Sequence, residues 1–236
     1  MINLTNRSDK KEILDNADIP FADIKQNMKE LNTINTYLGG HKITIAGLEA
    51  LIEKQIVTKP ISICEIGCGG GDNIVAINEF CISRNIPVTF IGIDIKPECI
   101  AFAKDQHIFL NVNWITNDYK KVYFSEARPD IIFSSLFCHH FNETELNSML
   151  QWMKQNAALG FFINDLHRHP FAWYSIKWLT SLFSKSYLVK NDAPLSVARG
   201  FKKNEWKEIL KTAGISNYSL TWKWAFRYLV ICRNEL

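Results

Sequence analysis

Several features are scarce or missing from this sequence of 236 residues. Neither sign of charge dominates: 27 Lys and Arg face 24 Asp and Glu, a net +3. That balance gives no argument for a nucleic-acid partner, which usually brings a stronger basic bias. No apolar run reaches the roughly 18 to 20 residues of a membrane-spanning helix. The opening "MINLTNRSDKKEILDN" is too polar for a signal peptide. A soluble, cytoplasmic protein is therefore expected. Paired C-x-x-C spacing is missing too. The six cysteines, 64, 68, 81, 99, 138 and 232, partly lie in apolar runs such as "ISICEIGC" and "LVICR". Reduced thiols fit better than a disulfide framework. No internal repeat and no low-complexity tract occurs. No Gly-Lys-Ser/Thr follows a glycine-rich turn, which disfavours a nucleoside triphosphate.

What is present is an alternation of short apolar runs and helical periodicities. Residues 20 to 36 carry Phe21, Ile24, Met28, Leu31 and Ile34 at helical spacing, and Gly39-Gly40 stops that helix. A second helix is expected from about Thr44 to Ile56. From residue 61 five apolar runs read as buried strands: "ISICEIG", "VTFIGIDI", "NVNWIT", "PDIIFSSLF" and "LGFFIND". Helices are expected from Asn73 to Arg84, from Pro97, and from Glu143 to Ala157. That grammar predicts an α/β fold with an open parallel sheet covered by helices on both faces. After a helix from Lys203 to Ala213, "ISNYSLTWKW" and "AFRYLVICR" are close enough to form an antiparallel hairpin. The expected organisation is an N-terminal helical cap over 1–58, a sheet domain over 59–236, and a helical lid insertion at about 170–202.

The turn "EIGCGGGDN" joins the first strand to its helix. Its glycines let the chain bend sharply and let a ligand approach the backbone. The helix N-terminus behind it offers free N–H groups and a positive dipole end. The dinucleotide fingerprint would need Gly at 72, where Asp72 stands. Asp94 ends the second strand, about twenty residues beyond the last glycine, where a carboxylate can accept both ribose hydroxyls. That serves NAD and an adenosyl ligand equally well.

At this point the chain resembles the class I S-adenosylmethionine-dependent methyltransferases, over roughly residues 60 to 235. Glu65-Ile-Gly67-Cys-Gly69-Gly-Gly71 matches that family's E-x-G-x-G-x-G motif, and Asp94 its ribose-binding acid. Asn117 and Asp118 match its polar pair near the adenine. "DIIFSSLFCHHF" resembles its fourth strand and the terminal hairpin its last two strands. The resemblance implies a Rossmann-like seven-stranded sheet, mostly parallel, and S-adenosyl-L-methionine as cofactor. It also implies cofactor-binding roles for Glu65, Gly67, Gly69, Gly71, Asp94, Ile95, Asn117 and Asp118. Ile95 and Trp114 are candidates to flank the adenine, with a core position the rival reading for Trp114. The front segment "EILDNADIPFADIKQNMKELNTINTYLGGHKIT" and the back segment "NDLHRH...APLSVARGF" resemble methyltransferases of phenolic-lipid and polyketide pathways. More distantly they resemble quinone-ring methylases. The implied acceptor is a small phenol or quinol, with or without an alkyl tail.

Ligands of open parallel sheets lie at the carboxyl ends of the strands. His139 and His140 follow the fourth strand, His167 and His169 the fifth. A phenol benefits from a base near neutral pKa, and a carboxylate such as Asp165 or Glu143 would orient it. His167 and His140 are therefore the candidate bases. His139, His169, Arg168 and Arg199 are candidate acceptor contacts, and His41 in "GGHK" is a further histidine near a flexible joint. Asp165, His167 and His169 alternate as strand-borne metal ligands would, but Mg²⁺ prefers oxygen donors. No metal is assigned. The aromatic stretch "FAWYSIKWLTSLFSKSYLVK" reads as a cover over the sheet's open end, with a membrane surface as a further contact. O-methylation of a phenolic or polyketide-derived molecule is the leading expectation. C-methylation of a quinol ring follows, and outside that class an NAD-dependent oxidoreductase or a non-catalytic cofactor-binding subunit.

Overall fold

The computed structural model describes residues 2–16, 18–53, 59–124 and 128–234. Its strands are β1 (Ile61–Ile66), β2 (Val88–Asp94), β3 (Val112–Thr116), β4 (Ile131–Ser135), β5 (Gly160–Leu166), β6 (Tyr218–Lys223) and β7 (Arg227–Arg233). They form one sheet in the order β3-β2-β1-β4-β5-β7-β6. The first five are parallel, and β7 runs antiparallel between β5 and β6. The strand order reverses between β1 and β4, which opens a crevice at their carboxyl ends. The central strands are buried on both faces, as their unbroken apolar runs require; every residue of β4 is buried.

The helices are α1 (Phe21–Tyr37), α2 (Gly40–Ile52), α3 (Asp72–Ser83), α4 (Pro97–Gln106), α5 (Glu143–Asn156), α6 (Pro170–Phe183), α7 (Tyr187–Arg199) and α8 (Lys203–Thr212). Leu48 and Leu51 of α2 and Ile74 and Ile77 of α3 bury against Ile63, Phe133 and Phe162 on one face of the sheet. Leu146 and Met149 of α5 and Trp206 and Leu210 of α8 bury against Ile132, Phe161 and Ile163 on the other. Asn142 and Glu145 start α5 with a reciprocal capping box.

Three expectations change. The N-terminal cap divides, because α2 packs in the sheet's helical layer while residues 7–15 and α1 reach over the crevice. Gly39, at φ +73°, turns the chain between them, and α2 begins at Gly40 rather than Thr44. The expected end of α2 near Ile56, and the boundary at 58, lie outside the described residues. The segment expected as a lid folds as two helices, α6 and α7. Ser186 caps α7, while Glu30 of α1 accepts from the Lys185 and Ser186 N–H groups at 2.9 and 3.1 Å. Between β3 and β4 the described residues form a short 3-10 turn at Tyr119–Lys121. The cysteines are free and buried, and no helix among the described residues is long and apolar enough to cross a membrane.

Candidate functional site

A cavity of about 1120 Å³ occupies the crevice. Its floor is the glycine turn after β1 and the ends of β2 and β4. Its walls and roof come from α1, α6, α7 and the N-terminal residues 7–15.

At one end the chain forms a cradle. Gly67 and Gly69 have φ of +69° and +51°, and a Cβ on Gly67 would fall 2.4 Å from the Phe137 ring. Only glycine fits there without strain. Asp94 accepts from the Gly69 and Lys96 N–H groups, each at 2.9 Å. Burial raises the Asp94 pKa, against the pull of those backbone bonds. Ile95, Asn117 and Asp118 line the same end, and Asp118 caps the turn that follows by accepting from Lys120 N.

Two motif residues stand behind the cradle rather than in it. Glu65 is buried; one carboxyl oxygen accepts from Asn73 Nδ2 at 3.0 Å, and the other has no partner among the described residues. Burial, with Asp72 nearby, pushes its pKa well above the usual carboxylate range. Gly71 (φ +79°) does not line the cavity. It makes room for Trp114, whose ring a Cβ would meet at 2.5 Å. Trp114 therefore packs beneath the turn and does not line the cavity. His41 bonds to Asn73 and Asn32, both at 3.1 Å, and steadies the turn from outside the cavity.

The opposite end is polar and holds the histidine pair. His139 is buried, with Nδ1 2.8 Å from Asp165 Oδ1 and Nε2 3.5 Å from Glu12 Oε1. Burial alone would lower its pKa. The charge and hydrogen bond of Asp165, with Glu12 behind them, outweigh burial and raise it to about 9. His140 is more open, with Nδ1 3.2 Å from Asp15 Oδ1 and Nε2 3.7 Å from Glu12 Oε2. It lines the cavity together with His139, Glu12 and Asp15.

The other histidines lie elsewhere. β5 ends at Leu166, after which His167 N donates to Phe226 O and Arg168 N to Phe201 O. His167 Nδ1 accepts from Trp222 Nε1 at 3.2 Å, and its ring lies 4.9 Å from Tyr228. His169 caps α6 by accepting from Phe171 N and stacks on Phe226. Arg168 is fully buried and pairs with Glu205. None of the three lines the cavity: contacts with the hairpin and Phe201 hold His167, the expected base, and Arg168 and His169, the expected acceptor contacts, away from it. Arg199 does reach the cavity, but its guanidinium is spent on the carbonyls of His139 (3.0 Å), His140 (2.7 Å) and Lys10. It clamps the histidine loop to the N-terminal segment.

Sequence reasoning missed four contributors. Glu12 and Asp15 arrive on a 3-10 turn that Asp192 anchors by accepting from the Ile13 and Leu14 N–H groups. Asn27 on α1 and Arg227 on β7 line the cavity, and each has a buried donor, Asn27 Nδ2 and Arg227 Nη1, unpartnered among the described residues. Glu12 followed by Asp15 at a turn signal was the one local hint; nothing local marked Asn27 or Arg227.

Residues 63–160 match a family model described as a methyltransferase domain. No curated protein matches the sequence. Among solved structures, the plantazolicin methyltransferase in complex with SAH superposes with a TM-score of 0.66 at 15% identity, over 90% of this chain and 96% of that one. The magnesium protoporphyrin IX methyltransferase of Synechocystis PCC 6803, with bound SAM, gives 0.56 at 12%, over 86% and 84%. Human N-acetylserotonin methyltransferase in complex with SAM gives 0.62 at 15%, over 92% of this chain and 57% of that one. Identities this low speak for a shared fold.

Proposed function

We propose that this chain, which matches a methyltransferase domain model over residues 63–160 and shares the fold of S-adenosylmethionine-dependent methyltransferases, methylates a hydroxyl oxygen of a phenolic or polyketide-derived small molecule. The observation that carries this reading is one continuous cavity running from the Asp94 cradle to the His140–Glu12 cluster. The cradle suits the cofactor. Asp94 has lone pairs for ribose hydroxyls, Gly67 and Gly69 allow close backbone approach, and Arg227 Nη1, unpartnered among the described residues, is complementary to a carboxylate. S-adenosylmethionine supplies a methyl group already bonded to a good leaving group, so the protein's task is alignment and removal of the acceptor's proton. His140 is the cavity-facing group available for that proton, with Asp15 to orient its ring. The apolar roof from α1, α6 and α7 fits an aromatic acceptor.

His140→Gln should lower kcat on a responsive phenol by about 10²- to 10⁴-fold and leave S-adenosylhomocysteine affinity unchanged. Full turnover in that variant would remove His140 from the chemistry. A methyl group found on ring carbon rather than oxygen would favour the quinol C-methylation reading.

α6 suggests how a lipid-like acceptor arrives. Ala172, Ser175, Ile176 and Leu179 line the cavity. Phe171, Tyr174, Trp178, Leu182 and Phe183 face outward and are 52 to 72% exposed. Lys177, Lys185 and Lys190 flank them. We read this helix as a contact with an anionic membrane surface.

A further inference from the structure

We propose that Glu12, His139 and His140 bind one first-row divalent transition-metal ion at the polar end of the cavity. This deepens the reading above and rests on that cluster being the acceptor's end.

One ligand atom from each of the three residues lies within 4.8 Å of the others. The Glu12 oxygens stand 3.5 Å from His139 Nε2 and 3.7 Å from His140 Nε2. These separations are too long for good N–H···O hydrogen bonds, which cluster at about 2.7 to 3.2 Å. They are close to the edge of a coordination tetrahedron, roughly 3.4 Å for ligands about 2.1 Å from the ion.

The outer shell is built as well. Asp165 faces His139 Nδ1 at 2.8 Å and Asp15 faces His140 Nδ1 at 3.2 Å. Each carboxylate holds a proton on Nδ1, which leaves Nε2, on the side of Glu12, as the nitrogen that gives up its proton when an ion binds. Glu12 is itself fixed by Ser196 Oγ at 2.6 Å. Arg7 and Arg199 pin the carbonyls of the histidine loop.

Two imidazoles and one carboxylate suit Zn²⁺, Mn²⁺, Fe²⁺ or Co²⁺ rather than Mg²⁺ or Ca²⁺. Three protein ligands leave coordination positions open to the cavity. An acceptor hydroxyl bound there loses its proton to solvent and keeps the electron pair that forms the new O–CH₃ bond, as the methyl–sulfur bond breaks with its pair left on sulfur. With the ion present His140 is a ligand; without it His140 is the proton acceptor.

The test titrates the chelator-treated full chain with Zn²⁺ by calorimetry and with Co²⁺ by visible absorption, and measures S-adenosylhomocysteine binding on the same samples. Expected are one equivalent of metal, cobalt d–d bands, and Zn²⁺ affinity lowered at least tenfold by His140→Gln. Asp15→Asn, which removes no ligand, should lower it about 10- to 100-fold. Thermal melts of the two variants check that they remain folded. Wild-type protein that takes up Zn²⁺ no more tightly than His140→Gln overturns the site. Metal uptake lost in the variants, with no S-adenosylhomocysteine binding in any sample, supports the metal site and sinks the methyltransferase reading instead.

Discussion

The rings of His139 and His140 lie 4.4 Å apart, yet their surroundings differ. His139 is buried between two carboxylates that raise its pKa, whereas His140 is more open to the cavity that both line. His167 shows a third environment. Burial first, then His169, Arg168 and Lys202, lowers its pKa to about 4. The folded value lies below the unfolded value of about 6.5, so the unfolded chain binds more protons between them. The neutral His167 contribution to stability is complete above about pH 6.5 and is lost as pH falls toward 4. An NMR titration should show the His167 imidazole neutral down to about pH 4, and His167→Gln should flatten the stability profile in that window. A midpoint near 6.5 would contradict the environment described. At this scale the glycine turn and Asp94 were legible because a strand-to-helix turn is a local motif. Glu12, Asn27 and Arg227 were not, because each reaches the cavity from a distant part of the chain.

Among the elements, the N-terminal segment is held to the body by buried cations. Arg168 donates to Leu4 O at 3.1 Å, Thr5 O at 3.2 Å and Gly200 O at 2.5 Å while pairing with Glu205. Arg7 donates to the carbonyls of Arg199, His139 and Phe141 and lies over the Phe201 ring. Removing one partner of a buried pair leaves the other charge uncompensated. Arg168→Ala should therefore lower the free energy of unfolding by about 3 to 5 kcal/mol with S-adenosylhomocysteine affinity unchanged. A loss below about 1 kcal/mol would contradict a stabilising role for this pair. The strands and most helices were legible from apolar runs and punctuation. The 3-10 turn at Ile13–Asp15 was not, since three residues carry no periodicity. The break at Ser184–Ser186 depends on Glu30, a partner that periodicity does not reveal.

Taken as a whole, the molecule combines a sheet crevice fixed by strand order with a roof drawn from both ends of the chain. Its sheet architecture followed from the alternation of elements; which segments meet over the crevice did not, because that is decided by long-range pairing. The outward aromatic face of α6 belongs to this scale. The protein should sediment with phosphatidylserine-containing vesicles, less so at high salt, and Phe171→Ser with Trp178→Ser should reduce that binding. Wild-type protein left in the supernatant would contradict a membrane contact.

The measurement that bears most directly on the central claim is calorimetric titration of the full chain with S-adenosylhomocysteine and, separately, with NAD. Expected are one equivalent of S-adenosylhomocysteine, no NAD binding, and about 10- to 100-fold weaker S-adenosylhomocysteine binding in Asp94→Ala, from the loss of charge-assisted hydrogen bonds to the ribose. Binding of NAD without S-adenosylhomocysteine, or an Asp94→Ala variant with undiminished affinity, would contradict it.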